Sequence, residues 1–219
     1  MSYLDDYSKE DFGRTSWSEY GETLENLYDK VSDYLDENDI VIDVVVPVER
    51  AGNFAGTFLA YKLGVLRIAP VQFKYFFDED EDEIVLNRLL PFNPKGLDED
   101  ANILLVEGDH CFGTTGNVAA AEVKRKLPKA NIIYAADHMD YSYQQNEHAE
   151  AVFYGKATNE TRELTEEECK EKGVETGSHL FPWENLEEEW QTVQAKQYQY
   201  QDTEAAEKTS ETEKVIDNS

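Results

Sequence analysis

A stretch in the middle of the chain combines residue types that bind anions. The apolar run Asn102–Val106 (NILLV) is followed by the segment Glu107–Gly116 (EGDHCFGTTG). Gly113 and Gly116 allow the backbone to turn tightly and to approach a ligand, and the two threonines between them add hydroxyl donors. A helix that begins here adds unpaired N–H groups and the positive end of its dipole. The segment therefore predicts a site for a phosphate group.

Two acids stand at the start of this segment. The carboxylates of Glu107 and Asp109 could bind the hydroxyl groups of a ribose or a hydrated Mg²⁺ ion. The alternative interpretation is structural: a tight strand-to-helix turn with capping threonines and solvated acids. Both interpretations fit these residues when the segment is taken alone.

Two common nucleotide-binding patterns do not fit. The spacing of Gly108 and Gly113 approaches that of a Walker A loop, but Thr114 stands where that loop needs a lysine. The segment after the first predicted strand reads VERAGNFAG, without the GxGxxG spacing of a dinucleotide-binding turn. We therefore set both folds aside.

Helices and strands alternate along the sequence, which predicts how this segment is held. Ser16 and Glu19 form a capping-box pattern, and the apolar residues that follow at three- and four-residue steps predict a helix ending near Asn38. Continuous β-branched and apolar runs predict strands that are buried on both faces. The predicted strands are Ile40–Val46, Asn102–Val106, Asn131–Ala135 and Ala151–Tyr154, the extended segment is Val65–Phe73, the further helices are Asn53–Leu63 (stopped at Gly64) and Asn117–Leu127, and the loops are Pro47–Gly52 and the acidic Asp78–Glu83.

This alternation predicts an α/β fold, with a doubly wound, mostly parallel sheet and helices on both faces. Ligands bind to such sheets beyond the carboxyl ends of the strands, where Pro47–Gly52 and Glu107–Gly116 fall. We expect a loose N-terminal arm over residues 1–15 and a domain over residues 16–190 that ends in a small hood segment. We expect an acidic, disordered tail over residues 191–219.

The charge of the chain limits its partners. The 219 residues include 20 Lys and Arg and 47 Asp and Glu, which gives a formal net charge of −27. Such a surface repels duplex DNA and anionic membranes, so we expect neither as a partner. No apolar run is long enough to span a bilayer and only two cysteines occur, so we expect a cytoplasmic protein. Our hypothesis is a salt-accumulating, halophilic cytoplasm, and the alternative is an acidic mesophilic protein.

The order of these motifs resembles the type I phosphoribosyltransferase family. The signature of that family is a buried strand, two acids, a short variable stretch and then Thr-Gly-x-Thr opening a helix. Here Glu107 and Gly108 fall on the acid pair, and Phe112–Thr115 falls on the Thr-Gly-x-Thr in a degenerate form. Val48–Gly52 resembles the pyrophosphate loop of the family. Ser178–Glu184 resembles the carboxyl-terminal stretch of its xanthine–guanine and hypoxanthine branch.

The resemblance implies a transferase that binds 5-phosphoribosyl-1-pyrophosphate (PRPP) with Mg²⁺. It would move the phosphoribosyl group to a nitrogenous base and release pyrophosphate, and a purine is the favoured base. We also expect a homodimer. The implied site residues are Phe112, Gly113, Thr114, Thr115 and Gly116 for the 5′-phosphate; Arg50, Ala51 and Gly52 for the pyrophosphate; Glu107, Asp109 and Lys74 for catalysis; Glu107 and Asp109 for the metal; and His138, Leu180 and Phe181 for the base.

Several residues of the family pattern are replaced here, and the replacements leave two other functions open. Gly108 stands in place of the second acid, and Cys111 stands in place of an acid that assists at the purine ring. His138 aligns with a lysine that faces the purine, and Ser178 aligns with a stacking tryptophan. The alternative function is a non-catalytic protein that binds PRPP or a nucleotide and regulates a partner. A fold kept only for assembly is a third possibility.

Overall fold

The computed structural model describes residues 8–78, 83–187 and 189–190. The strands are β1 (Phe12–Arg14), β2 (Val44–Glu49), β3 (Val71–Asp78), β4 (Glu83–Leu90), β5 (Asn102–His110), β6 (Asn131–Asp140), β7 (Ala151–Asn159), β8 (Glu175–Thr176) and β9 (Ser178–Leu180). The helices are α1 (Trp17–Glu37), α2 (Gly52–Lys62), α3 (Thr114–Lys126) and α4 (Glu166–Lys172). In the described part of the chain, β4-β3-β2-β5-β6-β7-β8 form one sheet in that order, and β1 pairs with β9.

The first helix follows its sequence pattern closely. The Ser16 side chain accepts the N–H of Glu19, and the Glu19 carboxylate accepts the N–H of Ser16, which completes the predicted capping box. The apolar face of α1 is buried, as the residue spacing predicts, and its buried apolar residues are Tyr20, Leu24, Leu27, Val31 and Leu35. The predicted helix is therefore confirmed.

The sheet is parallel except at one edge, where β3 and β4 form an antiparallel hairpin. The strands β2, β5 and β6 are buried along most of their length. Helices α1 and α2 cover one face of the sheet, and α3 covers the other. The predicted fold class, a doubly wound and mostly parallel α/β sheet with helices on both faces, is confirmed.

The boundaries of several elements differ from the prediction. The first strand of the sheet covers Val44–Glu49 rather than Ile40–Val46, so half of the predicted turn Pro47–Gly52 is strand. The strands β5, β6 and β7 continue four or five residues beyond their apolar runs. Their polar ends remain in the ladder, where Asp109 lies opposite His138, because backbone pairing does not depend on apolar side chains. Helix α3 accordingly begins at Thr114 rather than at Asn117.

A hairpin replaces the predicted acidic loop. Val71–Asp78 pairs with Glu83–Leu90, and Asp78 lies opposite Glu83, so both ends of the loop predicted over Asp78–Glu83 belong to strands. Residues 79–82 lie outside the described residues. The sequence did not predict β4, because its apolar and polar residues follow an acidic run that suggested solvated coil. The extended segment Val65–Phe73 is only partly strand, with an isolated bridge from Ile68 to Val45.

The N-terminal arm and the hood are joined. Residues 12–14, which we expected in a loose arm, pair in parallel with Ser178–Leu180 and so tie the arm to the hood segment. Residues 1–7 and the predicted tail over 191–219 lie outside the described residues, and the domain boundaries stay a prediction. None of the described helices is both long and apolar enough to cross a membrane.

Candidate functional site

The amino terminus of α3 lies at the end of β5, where Thr114 is exposed, Thr115 is half-buried, and Gly113 and Gly116 are buried. Gly113 precedes the helix with a φ of 77°, a left-handed conformation that suits glycine, and its carbonyl accepts the N–H of Asn117. Among the described residues, no acceptor takes the N–H groups of Gly113, Thr114, Thr115 or Gly116. These four residues are called the cradle below. Its free N–H groups and the helix dipole make it suited to an anion.

The loop between β2 and α2 lies directly against the end of β5. A Cβ atom added to Gly52 would overlap the Val106 carbonyl, and one added to Gly108 would overlap the Cβ of Ala51. The peptide between Glu49 and Arg50 is cis. The structure therefore brings together the segment predicted to bind pyrophosphate and the strand end that carries the predicted acids.

Arg50 supplies the cation of this region. Arg50 is exposed, and its carbonyl accepts the N–H of Asn53, but among the described residues its guanidinium has no hydrogen-bond or ion-pair partner. It is near enough to Glu184 to oppose the rise in the pKa of that carboxyl. Burial raises the pKa of Glu184 to about 7, and its carboxylate accepts the N–H of Phe181 at 2.9 Å.

Glu107 is enclosed rather than open to a ligand. Only 8% of its surface is exposed, and its Oε2 accepts the hydroxyl of Tyr134. The Tyr134 hydroxyl also lies 2.9 Å from Nδ1 of His110, and Nε2 of His110 lies 2.8 Å from the carbonyl of Tyr143. The three side chains form one buried network beneath the cradle.

Asp109 belongs to a second group of acids, at the ends of β5, β6 and β7. It is half-buried and hydrogen-bonded to Glu160, which is buried. Burial raises the pKa of Asp109 to about 6 and that of Glu160 well above its ordinary value. The Asp140 carboxylate accepts the N–H groups of Ser142 and Thr161 at 2.9 and 2.8 Å.

These acids do not fit a preformed magnesium site. Glu107 is bound to Tyr134, Asp109 is bound to Glu160, and Gly108 offers no carboxylate between them. Among the described residues, no group of three or more His, Cys, Asp or Glu side chains could hold a metal ion. We therefore derive no chemical step through a metal.

The residues predicted to bind a base lie together but are covered. His138, Leu180 and Phe181 are 0%, 2% and 3% exposed. The His138 ring stacks on His179 and meets Phe181 edge-on, with ring centroids 5.2 and 5.0 Å apart. Among the described residues, neither ring nitrogen of His138 has a hydrogen-bond partner, and burial lowers the pKa of His138 to about 3, so the ring is neutral.

An aromatic cluster covers this region next to the Arg50 loop. Trp183 stacks on Phe54 with ring centroids 3.8 Å apart and on Phe181 at 4.9 Å, and Trp17 packs against Trp183 at 5.8 Å. Trp17 and Phe54 are 60% and 42% exposed. The hood segment is thus anchored by aromatic packing to the first turns of α1 and α2.

The remaining predicted site residues lie at the rim of the site or beyond it. Phe112 is exposed beside the cradle and packs edge-on against Tyr143. Lys74 is half-buried in β3, opposite Asn87 of β4, and β2 lies between β3 and β5. Ala51 is the residue that contacts Gly108.

Sequence reasoning missed Tyr134, Glu160 and Glu184. Tyr134 and Glu160 follow no local motif, because they reach the site through strand pairing with residues far away in the chain. Glu184 lies in the carboxyl-terminal stretch that resembles the purine branch, which was the one signal that could have assigned it a place in the site.

Comparisons with known proteins agree on the architecture. No family model matches the sequence, and no curated protein matches it. Among solved structures, the chain is similar to a purine phosphoribosyltransferase from Pyrococcus horikoshii Ot3, with 20% identity over 80% of this chain and 95% of that one and a TM-score of 0.57. It is similar to Helicobacter pylori xanthine-guanine-hypoxanthine phosphoribosyltransferase, with 14% identity over 83% and 99% and a TM-score of 0.56.

A third similar structure is a hypothetical protein from Neisseria gonorrhoeae with bound ppGpp, with 14% identity over 85% of this chain and 98% of that one and a TM-score of 0.58. At such identities the likeness concerns the fold. The chain has the type I phosphoribosyltransferase fold, as the order of its motifs predicted.

Proposed function

We propose that the chain is a phosphoribosyltransferase that binds PRPP and transfers its phosphoribosyl group to a nitrogenous base, in the first place a purine. The observation that carries the proposal is the set of free N–H groups of Gly113–Gly116, next to the loop of Arg50. Two similar structures with the same fold are described as purine phosphoribosyltransferases, which supports the proposal.

In the proposed reaction, the cradle binds the 5′-phosphate, so that the ribose is held in one orientation. Arg50 and the backbone of Ala51 and Gly52 face the diphosphate. The bond from the ribose C1 to the diphosphate oxygen breaks, and that oxygen keeps the electron pair. A base nitrogen forms the new bond to C1, and its proton passes to the departing pyrophosphate or to water. Arg50 stabilises the negative charge that develops on pyrophosphate. The Mg²⁺ that the resemblance implies stays a prediction.

The second candidate is a regulatory protein that binds PRPP or a nucleotide without turnover. It is favoured by Gly108, which supplies no carboxylate, and by the covered residues His138 and Phe181. The similar protein from Neisseria gonorrhoeae has ppGpp bound, a nucleotide that carries two diphosphate groups.

Calorimetric titration with PRPP, with and without Mg²⁺, tests the proposed binding site. The variant is Thr114→Asp, since Thr114 is exposed and an acid in the first turn suits the helix. The new carboxylate should weaken PRPP binding about tenfold or more through repulsion. Ala121→Asp is the matched control, because it adds the same charge at an exposed position two turns along α3.

Release of pyrophosphate, measured across purines and pyrimidines at high salt, separates the two candidates. Release that depends on a particular base supports the transferase. PRPP binding without release for any base supports the regulatory protein. The absence of PRPP binding to the wild type, or equal binding by both variants, contradicts the proposed site and favours a fold kept for assembly.

A further inference from the structure

We propose that the hood segment, residues 178–184, is a lid over His138, that the stack of Trp183 on Phe54 holds it closed, and that it opens before a base reaches His138. This proposal rests on the proposed function, because it assumes that a base binds at His138. Nothing in the resemblance assigns a movement to the hood segment or a role to Phe54.

The closed hood segment leaves His138 without a polar partner. His138 is fully buried, with the ring of His179 stacked on it at 5.2 Å and the ring of Phe181 edge-on at 5.0 Å. Among the described residues, neither of its ring nitrogens has a hydrogen-bond partner. Burying polar atoms unpaired costs free energy, and a base can recover it only after His179 and Phe181 have moved aside. The base therefore needs an open hood segment.

The backbone of the hood segment is separate from the main sheet. Strand β9 pairs with β1 in a two-stranded sheet, and none of the other described strands pairs with either. Gly177 separates β9 from β8, the last strand of the main sheet, and its φ of 85° is a left-handed conformation that suits glycine. Residues at the ends of elements absorb the backbone changes of hinge motions. Strands β1 and β9 can therefore turn together at Gly177 while the ladder of the main sheet stays intact.

Aromatic packing connects the hood segment to the body of the domain. The Trp183 ring stacks on Phe54 with ring centroids 3.8 Å apart, and the Phe181 ring stacks on Trp183 at 4.9 Å. Phe54 lies outside the hood segment, in the first turn of α2, and it is 42% exposed. The stack thus runs from the ring that covers His138 to a ring that water already reaches. Separating Trp183 from Phe54 frees Phe181 to move away from His138.

Backbone hydrogen exchange of the full chain, without a ligand, is the first test. A lid predicts that the amides of β1 and the hood segment exchange together, and faster than those of β5 and β6. Phe54→Leu removes the ring stack, so it should speed exchange in β1 and the hood segment about tenfold and leave β5 and β6 unchanged. Phe153→Leu is the matched control, because the Phe153 ring packs on Tyr34 of α1, with centroids 5.2 Å apart.

Nucleotide binding separates a lid from a contact that only stabilises the fold. The probes are AMP, GMP and IMP, mixed rapidly with the protein and followed through tryptophan fluorescence. The observed rate should reach a plateau as the nucleotide concentration rises, because opening precedes binding. Phe54→Leu should raise this plateau about tenfold, whereas a merely structural contact would weaken binding without raising it. Ribose 5-phosphate has no base, so its affinity, measured by calorimetry, should be equal in both proteins.

The outcomes distinguish this proposal from the proposed function. If neither ribose 5-phosphate nor any of the nucleotides binds, the proposed function is wrong, and the hood segment is not a lid for a base. If ribose 5-phosphate binds and no nucleotide binds more tightly, the base does not bind beneath the hood segment, and the lid is wrong. If nucleotides bind without a plateau, or the hood segment exchanges only together with β5 and β6, the lid is wrong and the phosphate site stands.

Discussion

Gly108 shows how a single residue departs from the family pattern for a local reason. It stands where the resemblance places a second acid, and the loop of Ala51 lies so close that any Cβ atom at position 108 would overlap the Ala51 side chain. The main-chain carbon of Ala51 would also be only 3.0 Å away. An acid at this position therefore requires a different path of the loop, and the glycine and the close loop belong together.

Restoring the acid should damage the site rather than repair it. Gly108→Asp forces the Arg50–Gly52 loop away from β5, and overpacking of this kind costs about 1–3 kcal/mol. We expect a lower melting temperature and weaker PRPP binding. In the double variant with Ala51→Gly the worst overlap is removed, so part of the stability should return. A stable Gly108→Asp variant with tighter PRPP binding would contradict this account.

Glu184 should make stability depend on pH. Burial raises its pKa from 4.5 to about 7, so the folded chain keeps this proton to a higher pH than the unfolded chain does. Its contribution favours folding at low pH and is lost as the pH rises from 4.5 to about 7. Glu184→Gln can keep the hydrogen bond from Phe181, and we expect a smaller loss of melting temperature over this window.

Glu150→Gln is the control for this measurement, because it removes the same charge at an exposed position. Its melting temperature should follow the wild type across the window. If the melting temperatures of the wild type and Glu184→Gln change with pH in parallel, burial of the Glu184 carboxyl does not make stability depend on pH.

At the scale of elements, the sequence was most informative where a local signal sets a boundary. The capping box at Ser16 placed the start of α1 correctly, and Gly64, with a φ of 69°, follows the end of α2 as predicted. The strand ends were predicted poorly, because the apolar pattern stops where β5, β6 and β7 turn polar. Pairing between neighbouring strands carries those ends further, and one sequence does not reveal it.

The candidate site was likewise predictable where it depends on local sequence, and not where it depends on pairing between distant strands. The cradle and the Arg50 loop are short segments with glycine at defined positions, so their order along the chain indicated a phosphate site. The partners of Glu107 and Asp109 were not predictable, since Tyr134 and Glu160 reach them only through the register of β6 and β7. Burial of His138 likewise depends on the hood, which closes over it from the other end of the sequence.

The contact between α1 and β6 gives a prediction at this scale. The Tyr20 hydroxyl donates to Oδ2 of Asp137 at 2.6 Å, and Asp137 is fully buried with its Oδ1 unpartnered among the described residues. Tyr20→Phe leaves this carboxyl without its donor, which should lower the free energy of unfolding by about 1–3 kcal/mol in urea denaturation.

The matched control is Tyr28→Phe on the same helix. The Tyr28 ring packs under Lys62, with the ammonium 4.7 Å from its centre, and its hydroxyl has no hydrogen-bond partner among the described residues. Phenylalanine keeps that ring contact, so its stability should stay near that of the wild type. Equal stability of the two variants would mean that the Asp137 hydrogen bond contributes nothing.

For the whole molecule, repulsion between acids should outweigh the exposed ion pairs. The chain has 47 acidic and 20 basic side chains, so most surface carboxylates have no cation to pair with. Exposed pairs such as Lys62 with Glu25 and Lys129 with Glu99 contribute little each. Salt screens both the repulsion between the acids and the attraction within the ion pairs, and the repulsion is the larger of the two in this chain. The melting temperature should therefore rise with KCl up to about 1 M, where the screening length is about 3 Å.

The end of α1 allows this cause to be tested. Asp33, Asp36 and Glu37 are exposed near its carboxyl terminus, and no basic residue lies in the last turn to offset the negative end of the dipole. The triple variant Asp33→Asn, Asp36→Asn and Glu37→Gln should melt higher than the wild type at low salt and gain less from KCl. If KCl raises the melting temperature of both proteins equally, repulsion at this helix end does not contribute to the salt dependence. If molar KCl does not raise the melting temperature of the wild type, the halophilic hypothesis is wrong.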